Sequence, residues 1–332
     1  MFPSSSLHRI TWGVEAFPEG SALQNKTARI LEALAGSMGM QIEPVYVMTP
    51  DQLRLPPQIF MDIETYGIGE DVETPRSFAE RSREISELVT GHLKNWINQL
   101  GGTHFLPPHI LVQHQYSSRV SVETLVAYAK NTGAEWIAVS THARHGLTRV
   151  LLGSFAESLV SHSELPVLIV GPETVPVESI RRVWFPTDLS VTSRSAFDYA
   201  IEMARLWNAE LTVYHKVPHL LEYTSTFQQD APDLEMRMRY GELKRVEVDA
   251  WAADAGERGV RADAILDDDS GDLAESILLR ASQLGPAMVV MESKSGPLSS
   301  MLLGSVTRTV IRSSRCPVLV LHPAREEVRQ AV

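Results

Sequence analysis

Cysteine is almost absent from this chain: Cys316 stands alone among 332 residues. One thiol can form neither an internal disulfide nor a multi-cysteine metal clip, so a disulfide framework is excluded and a reducing compartment suits the composition. No stretch of the sequence approaches the run of roughly 18 apolar residues that a membrane-spanning helix requires. The segment Met1-Phe2-Pro3-Ser4-Ser5-Ser6 also lacks the basic start and apolar stretch of a secretory signal, and a cytoplasmic location is the resulting expectation. Positive charge is the scarcer sign, with 30 Lys and Arg against 41 Asp and Glu and a formal net charge of −11. Such a surface repels phosphate backbones and anionic lipid, so neither nucleic acid nor a membrane is expected as a partner.

What is present has the proportions of a globular protein, 44% hydrophobic and 21% charged with 20 Gly and 19 Pro. At about 150 residues per domain, this length fits two domains. The chain also contains itself twice. Residues 151–172 (LLGSFAESLVSHSELPVLIVGP) and 302–323 (LLGSVTRTVIRSSRCPVLVLHP) are identical at nine of 22 positions at a constant offset of 151, where chance gives about one or two. The same offset lays Trp136-Ile137-Ala138-Val139 on Ala287-Met288-Val289-Val290. Nearer the start of each half, residues 9–15 align with 182–188 at an offset of 173, so the first half carries 22 additional residues in between. A duplication accounts for this, with a linker over 172–179, where Pro, Glu and Thr interrupt the pattern.

Each half alternates strands with helices. Phe197, Ala200, Ile201, Ala204 and Trp207 recur at helical spacing behind the cap candidates Ser190, Thr192 and Ser193, and the strand 211–215 follows. In the first half Leu23, Thr27, Ile30, Leu31, Leu34 and Met38 predict the matching helix, stopped near Gly39 before the strand 42–48. A second helix presents Ile85, Leu88, Val89, Trp96, Ile97 and Leu100 before Gly101; its counterpart is expected to bury Leu243, Val246 and Trp251 before Gly256. The closing strands, 166–170 and 317–321, are unbroken apolar runs, the pattern of strands covered on both faces of a parallel sheet. The fold class is therefore α/β, two tandem doubly wound domains over 1–172 and 180–325. Irregular stretches at 49–76 and 217–232 are expected to be solvated loops, with lids over a cleft as the alternative.

Residues 185–190 (FPTDLS) through 209–213 (AELTV), together with 302–305 (LLGS) and 316–320 (CPVLV), resemble the universal stress protein family, and the resemblance spans nearly the whole chain as two tandem domains. It implies a five-stranded parallel sheet in each half, ordered 3-2-1-4-5, with ligands in the crevice at the carboxyl ends of strands 1 and 4. Glu15 and Asp188 close strand 1 there, and Asp188 matches the family position that meets the base or ribose. Nucleotide-binding members carry G-x2-G-x9-G-(S/T) after strand 4, where bare backbone and a helix N-terminus approach the phosphates. The first half places Ser140, Ala143, Gly153 and Ser154 at those positions, and the second Met291, Lys294, Gly304 and Ser305. Only the final pair survives in each, and packing with a serine helix cap would explain that pair equally well.

The loops differ in charge. His142, Arg144, His145 and Arg149 surround the first, and Ser117, Ser118 and Arg119 follow its strand 3; the second half has Asp267, Asp268, Asp269 and Asp272 after strand 3. If ATP is a cofactor, it is expected in the first half, at the helix starting near Ser154, with Arg144 and His145 closing over it. Should Ser140 or Ala143 need a positive φ, a non-glycine residue costs of order ~1 kcal/mol and glycine reversion should tighten binding. No metal is expected, since Gly271 falls one place short of calcium-loop spacing and His142 and His145 have no third ligand in view. Without a P-loop or a nucleophile–base pair, the chain is not expected to be an enzyme. Two functions fit: a regulatory or scaffolding module of the stress response with degenerate nucleotide motifs, or an ATP-binding sensor using the first cleft. The apolar last strands are expected to pair, as in an internal pseudo-dimer, with a homodimer and unidentified protein partners both open.

Overall fold

Strand and helix alternate throughout the computed structural model, which describes residues 8–16, 21–49, 78–115, 117–141, 154–217, 234–293 and 303–322. The first repeat runs β1 (Arg9–Gly13), α1 (Ala22–Met38), β2 (Gln41–Met48), α2 (Phe78–Leu100), β3 (His109–Val112), α3 (Ser118–Asn131), β4 (Trp136–Ser140), α4 (Ser154–His162) and β5 (Val167–Val170). The second runs β6 (Arg182–Pro186), α5 (Arg194–Leu206), β7 (Glu210–Lys216), α6 (Leu234–Glu257), β8 (Ala262–Asp267), α7 (Leu273–Ser282), β9 (Ala287–Glu292), α8 (Ser305–Ser313) and β10 (Val318–Leu321). Residues 50–76 and 218–232, the two lid candidates, lie outside the described residues.

Strand order in the first repeat is β3-β2-β1-β4-β5, and the second repeats it as β8-β7-β6-β9-β10. Strand β1 pairs in parallel with β2 and β4, and β6 with β7 and β9. By compactness the chain divides into Met1–Ser140 with Ser154–His162, and Thr141–Gly153 with Ser163–Val332. Within the second of these units β5 lies antiparallel against β10, Leu168 opposite Leu319 and Val167 opposite Val320. Two fully buried apolar edges thereby cover one another, the pairing expected of the last strands.

Local chemistry sets the helix ends. Ser21 Oγ accepts from Gln24 N at 3.2 Å to start α1, and Gly39, at φ +66°, stops it in the left-handed conformation that glycine adopts without strain. In the first unit Trp12 of β1 meets Trp96 of α2, ring centroids 5.3 Å apart. In the second, Phe197 of α5 meets Trp251 of α6 at 4.7 Å.

Helix α6 departs from its expected face. Val248, Trp251, Ala252 and Ala255 are buried, whereas Leu243 and Val246 are 63% and 69% exposed. Trp251, packed on Phe185 and Phe197, fixes the inward stripe; Val246, five residues earlier, lies about 140° around the helix. The helix also continues through Gly256 to Glu257, and the chain turns at Gly259, φ +81°.

Candidate functional site

In a doubly wound sheet the carboxyl ends of the strands beside the order reversal form the ligand crevice. Those ends are β1 and β4 in the first repeat and β6 and β9 in the second, with β2 and β7 next in the sheet. Matching hydrogen bonds fix the equivalence: Val14 N donates to Val45 O at 3.0 Å, and Thr187 N to Tyr214 O at 2.9 Å. Tyr46 therefore corresponds to His215 and Val47 to Lys216, while the 151-residue offset places Thr141 opposite Glu292.

The second cleft is tied together by its own side chains. Asp188 is exposed, yet its Oδ1 accepts from Ser190 N at 2.9 Å and from Ser193 Oγ at 2.9 Å. The same Ser193 hydroxyl lies 3.1 Å from Oε2 of Glu292, which is buried at the end of β9. Two carboxylates thus converge on one serine. Helix α5 does not begin with a serine side-chain cap as expected: a 3-10 turn over Val191–Ser193 leads into it, and neither Ser190 nor Ser193 makes a side-chain cap bond. In the turn that precedes it, after β6, Leu189 has φ +60°, a conformation costing a non-glycine residue about 1–2 kcal/mol. The turn is held by Leu189 N donating to Thr187 Oγ1 at 3.0 Å and by the Asp188 bonds.

Gly304 and Ser305 stand at the start of α8, but their roles differ from the expectation. Gly304 is the N-cap, at φ −57°, and a Cβ there would meet Ser293 O at an ordinary 3.6 Å, so neither backbone strain nor close approach by the described residues demands glycine. Ser305 is the first helical residue and not the cap.

The acidic run after β8 is also more structured than a solvated loop. Asp267 is buried and accepts from the Tyr214 hydroxyl at 2.7 Å and from Asp269 N at 3.0 Å, with Lys216 Nζ 3.6 Å away. Lys216, itself buried, donates to Asp269 O at 2.7 Å. Burial alone would raise the Asp267 carboxyl, but the Tyr214 and Asp269 hydrogen bonds, with Lys216 and Arg280, hold it below its ordinary range. Asp269 also pairs with Arg280, and Asp272 caps α7 through Glu275 N. Much of the negative charge expected to repel phosphate is therefore already answered.

In the first repeat the end of β4 carries hydroxyls. Thr27 Oγ1 donates to Leu23 O at 2.8 Å, which obliges Ser140 Oγ, 2.9 Å away, to donate to Thr27. Ser140 is a strand residue whose side chain ties β4 to α1, and it does not appear among the described non-glycine residues of positive φ, Leu189 and Asn208. The expectation of relievable strain at Ser140 is thus corrected. Thr141 is fully buried, and its Oγ1 has no hydrogen-bond partner among the described residues. Glu15 is half-buried just beyond β1, and α4 does begin at Ser154. Ala143, Arg144 and Gly153 lie outside the described residues, as do His142, His145 and Arg149. Arg119 is on the first turn of α3, paired with Glu123 at 2.9 Å.

Glu292, Thr141, Tyr46 and His215 were not singled out from the sequence. The alignment of Glu292 with Thr141 at the 151-residue offset was the available signal. Among the described residues no helix is long and apolar enough to cross a membrane.

Comparison with known proteins extends the likeness over nearly the whole chain. The model of the universal stress protein family matches residues 8–171 and again 179–322. Universal stress protein Rv2005c of Mycobacterium tuberculosis is 24% identical over 318 residues, covering 93% of this chain and 96% of that protein. Universal stress protein YxiE of Bacillus subtilis is 30% identical over 143 residues, 41% of this chain and 94% of its own length. The crystal structure of a universal stress protein from Archaeoglobus fulgidus shares the fold, with a TM-score of 0.64 at 18% identity, covering 95% of this chain and 98% of that one.

Proposed function

The chain belongs to the universal stress protein family, as two tandem domains, and from that premise we propose that it is a regulatory module of the stress response whose two clefts are unequal. The second does not take nucleotide; ATP, where it binds at all, binds in the first. The observation that carries this is the buried Glu292 carboxylate at the end of β9, whose Oε2 lies 3.1 Å from the Ser193 hydroxyl that Asp188 Oδ1 also approaches at 2.9 Å. A phosphate brought within 4 Å of such a carboxylate meets a repulsion of about 4 kcal/mol at an effective dielectric of 20. At the equivalent place the first repeat offers the Thr141 hydroxyl.

The chain acts by binding and not by turnover. Positioning and charge neutralisation dominate phosphoryl transfer, and no complete G-x4-G-K-(S/T) motif occurs: Lys26-Thr27 follows Asn25 and Lys294-Ser295 follows Ser293, and the Thr27 hydroxyl is buried and donates to Leu23 O. It works in the cytoplasm, through protein partners, with the two domains as an internal pseudo-dimer and a homodimer of whole chains open to it. Titration of the full chain with ATP under stoichiometric conditions tests the reading. At most one ATP per chain, weakened by Ser154→Ala and indifferent to Ser305→Ala, is the expected result. A second equivalent of ATP, or phosphate release of about 1 s⁻¹, the scale of competent enzymes, would overturn it.

A further inference from the structure

His215, at the carboxyl end of β7, is 5% exposed. Its Nδ1 lies 2.8 Å from Thr187 O; a carbonyl only accepts, so Nδ1 carries a proton and donates it. Its Nε2 has no hydrogen-bond partner among the described residues. In a neutral ring that nitrogen is an unprotonated acceptor, and a second proton would leave a buried cation whose new N–H is given no acceptor.

Thr187 opens the turn that carries Asp188 and the left-handed Leu189. That turn persists because several bonds over-determine it: Thr187 Oγ1 to Leu189 N, Asp188 Oδ1 to Ser190 N and to Ser193 Oγ, and the His215 ring to Thr187 O. We infer that His215 is an acid-sensitive pin for this turn: neutral, it clamps Thr187 and keeps the strained Leu189 conformation; protonated, it leaves its buried position and the turn opens. The second cleft would thereby be remodelled by acid, a response independent of whether nucleotide binds to the first.

The charges around the ring are on two sides. Asp188 faces it from the turn after β6, and Lys244 and Glu247 face it from α6; at its register β8 presents the apolar Leu266. Burial is the largest influence and disfavours the charged ring, and Lys244 acts in the same direction; Thr187 O, Glu247 and Asp188 oppose them, and the ring is held below the ordinary histidine range. The sign follows from linkage. In the opened turn the ring is solvated and titrates near about 6.5, whereas in the closed turn it titrates lower. As the pH falls below the first value, opening is favoured by up to about tenfold per pH unit, until the closed form also binds the proton. At the equivalent place the first repeat carries Tyr46, whose phenol burial pushes up, away from this range.

Amide hydrogen exchange of the full chain, corrected for intrinsic rates and followed from pH 7.5 to 5, reads the opening directly. Protection of the Leu189 and Ser190 amides should fall several-fold below pH 6.5, while that of Val14, the first-repeat counterpart of Thr187, stays unchanged. In His215→Asn, whose amide can still donate to Thr187 O but does not titrate, that fall should disappear. Nuclear magnetic resonance of the wild-type His215 ring, which needs no variant, should show titration below the ordinary histidine range. Protection independent of pH in the wild type, an identical fall in His215→Asn, or a ring titrating at or above its ordinary value would each overturn the proposal.

Discussion

The two repeats keep one sheet and exchange the chemistry at its edge. Where β4 ends in Ser140 with Thr141 just beyond it, β9 ends in Met291 and Glu292; where β2 carries Tyr46 and Val47, β7 carries His215 and Lys216. The strand order and the hydrogen bond from the strand 1 extension into strand 2 are the same in both. A duplicated crevice therefore does not imply a duplicated ligand. Backbone geometry fixes where a ligand could sit, and a handful of side chains at the strand ends decide whether an anion is welcome there. The first repeat uses the Ser140 hydroxyl to join β4 to α1, while in the second two carboxylates converge on Ser193.

The largest expected difference lies in stability. Lys216→Met leaves Asp267 charged and buried without its ammonium, and breaking such a pair costs about 3–5 kcal/mol. Denaturant unfolding should register that loss, and the double variant Lys216→Met with Asp267→Asn should recover most of it. Val47→Ala at the equivalent first-repeat position has no charge to strand and should cost far less; equal costs would break the comparison. The pH dependence has a definite sign. Because the Asp267 carboxyl is held below its ordinary range in the fold, its contribution is present above about pH 3.9, the unfolded value, and is lost as the pH falls through its lower folded value. The penalty of Asp267→Asn should therefore shrink between pH 7 and pH 2.

Next comes affinity in the second cleft. Glu292→Thr installs the residue that the first repeat carries and removes a repulsion of about 4 kcal/mol at 4 Å and an effective dielectric of 20. Calorimetry should detect at least a tenfold gain in ATP affinity there, and no gain would mean that other features close the cleft. Smaller still is the pair of glycine reversions. Ser140→Gly breaks the bond to Thr27 and should destabilise the first repeat by about 1 kcal/mol without tightening ATP. Ala143→Gly, by contrast, should tighten it a few-fold, and a reversed ranking would place the relevant strain at the end of β4.

Much of the fold was legible because it is written in periodicity and in the repeat itself. The unbroken apolar runs at 167–170 and 318–321 announced buried strands, and Gly39 and Gly101 stop their helices at positive φ as expected. The inward face of α6 is not legible in the sequence, since Leu243 and Val246 carry the right residue types at a plausible spacing, and only the packing of Trp251 on Phe185 and Phe197 decides which stripe turns inward. The site was less legible for a related reason. Ser193 and Glu292 are 99 residues apart, and Lys216 and Asp267 are 51 apart; hydrogen bonds at such separations belong to the fold and leave no local pattern. Asp267 stands in an acidic run whose sequence says nothing of burial, yet a lysine one strand away makes it a buried partner.

The inequality of the clefts is tested most directly by counting nucleotides. Equilibrium titration of the wild-type full chain with ATP, alongside Ser154→Ala and Ser305→Ala, should give no more than one ATP per chain, with affinity reduced only by the change at Ser154. Two ATP per chain, or a single ATP lost on changing Ser305, would contradict the assignment of the second cleft as closed to nucleotide.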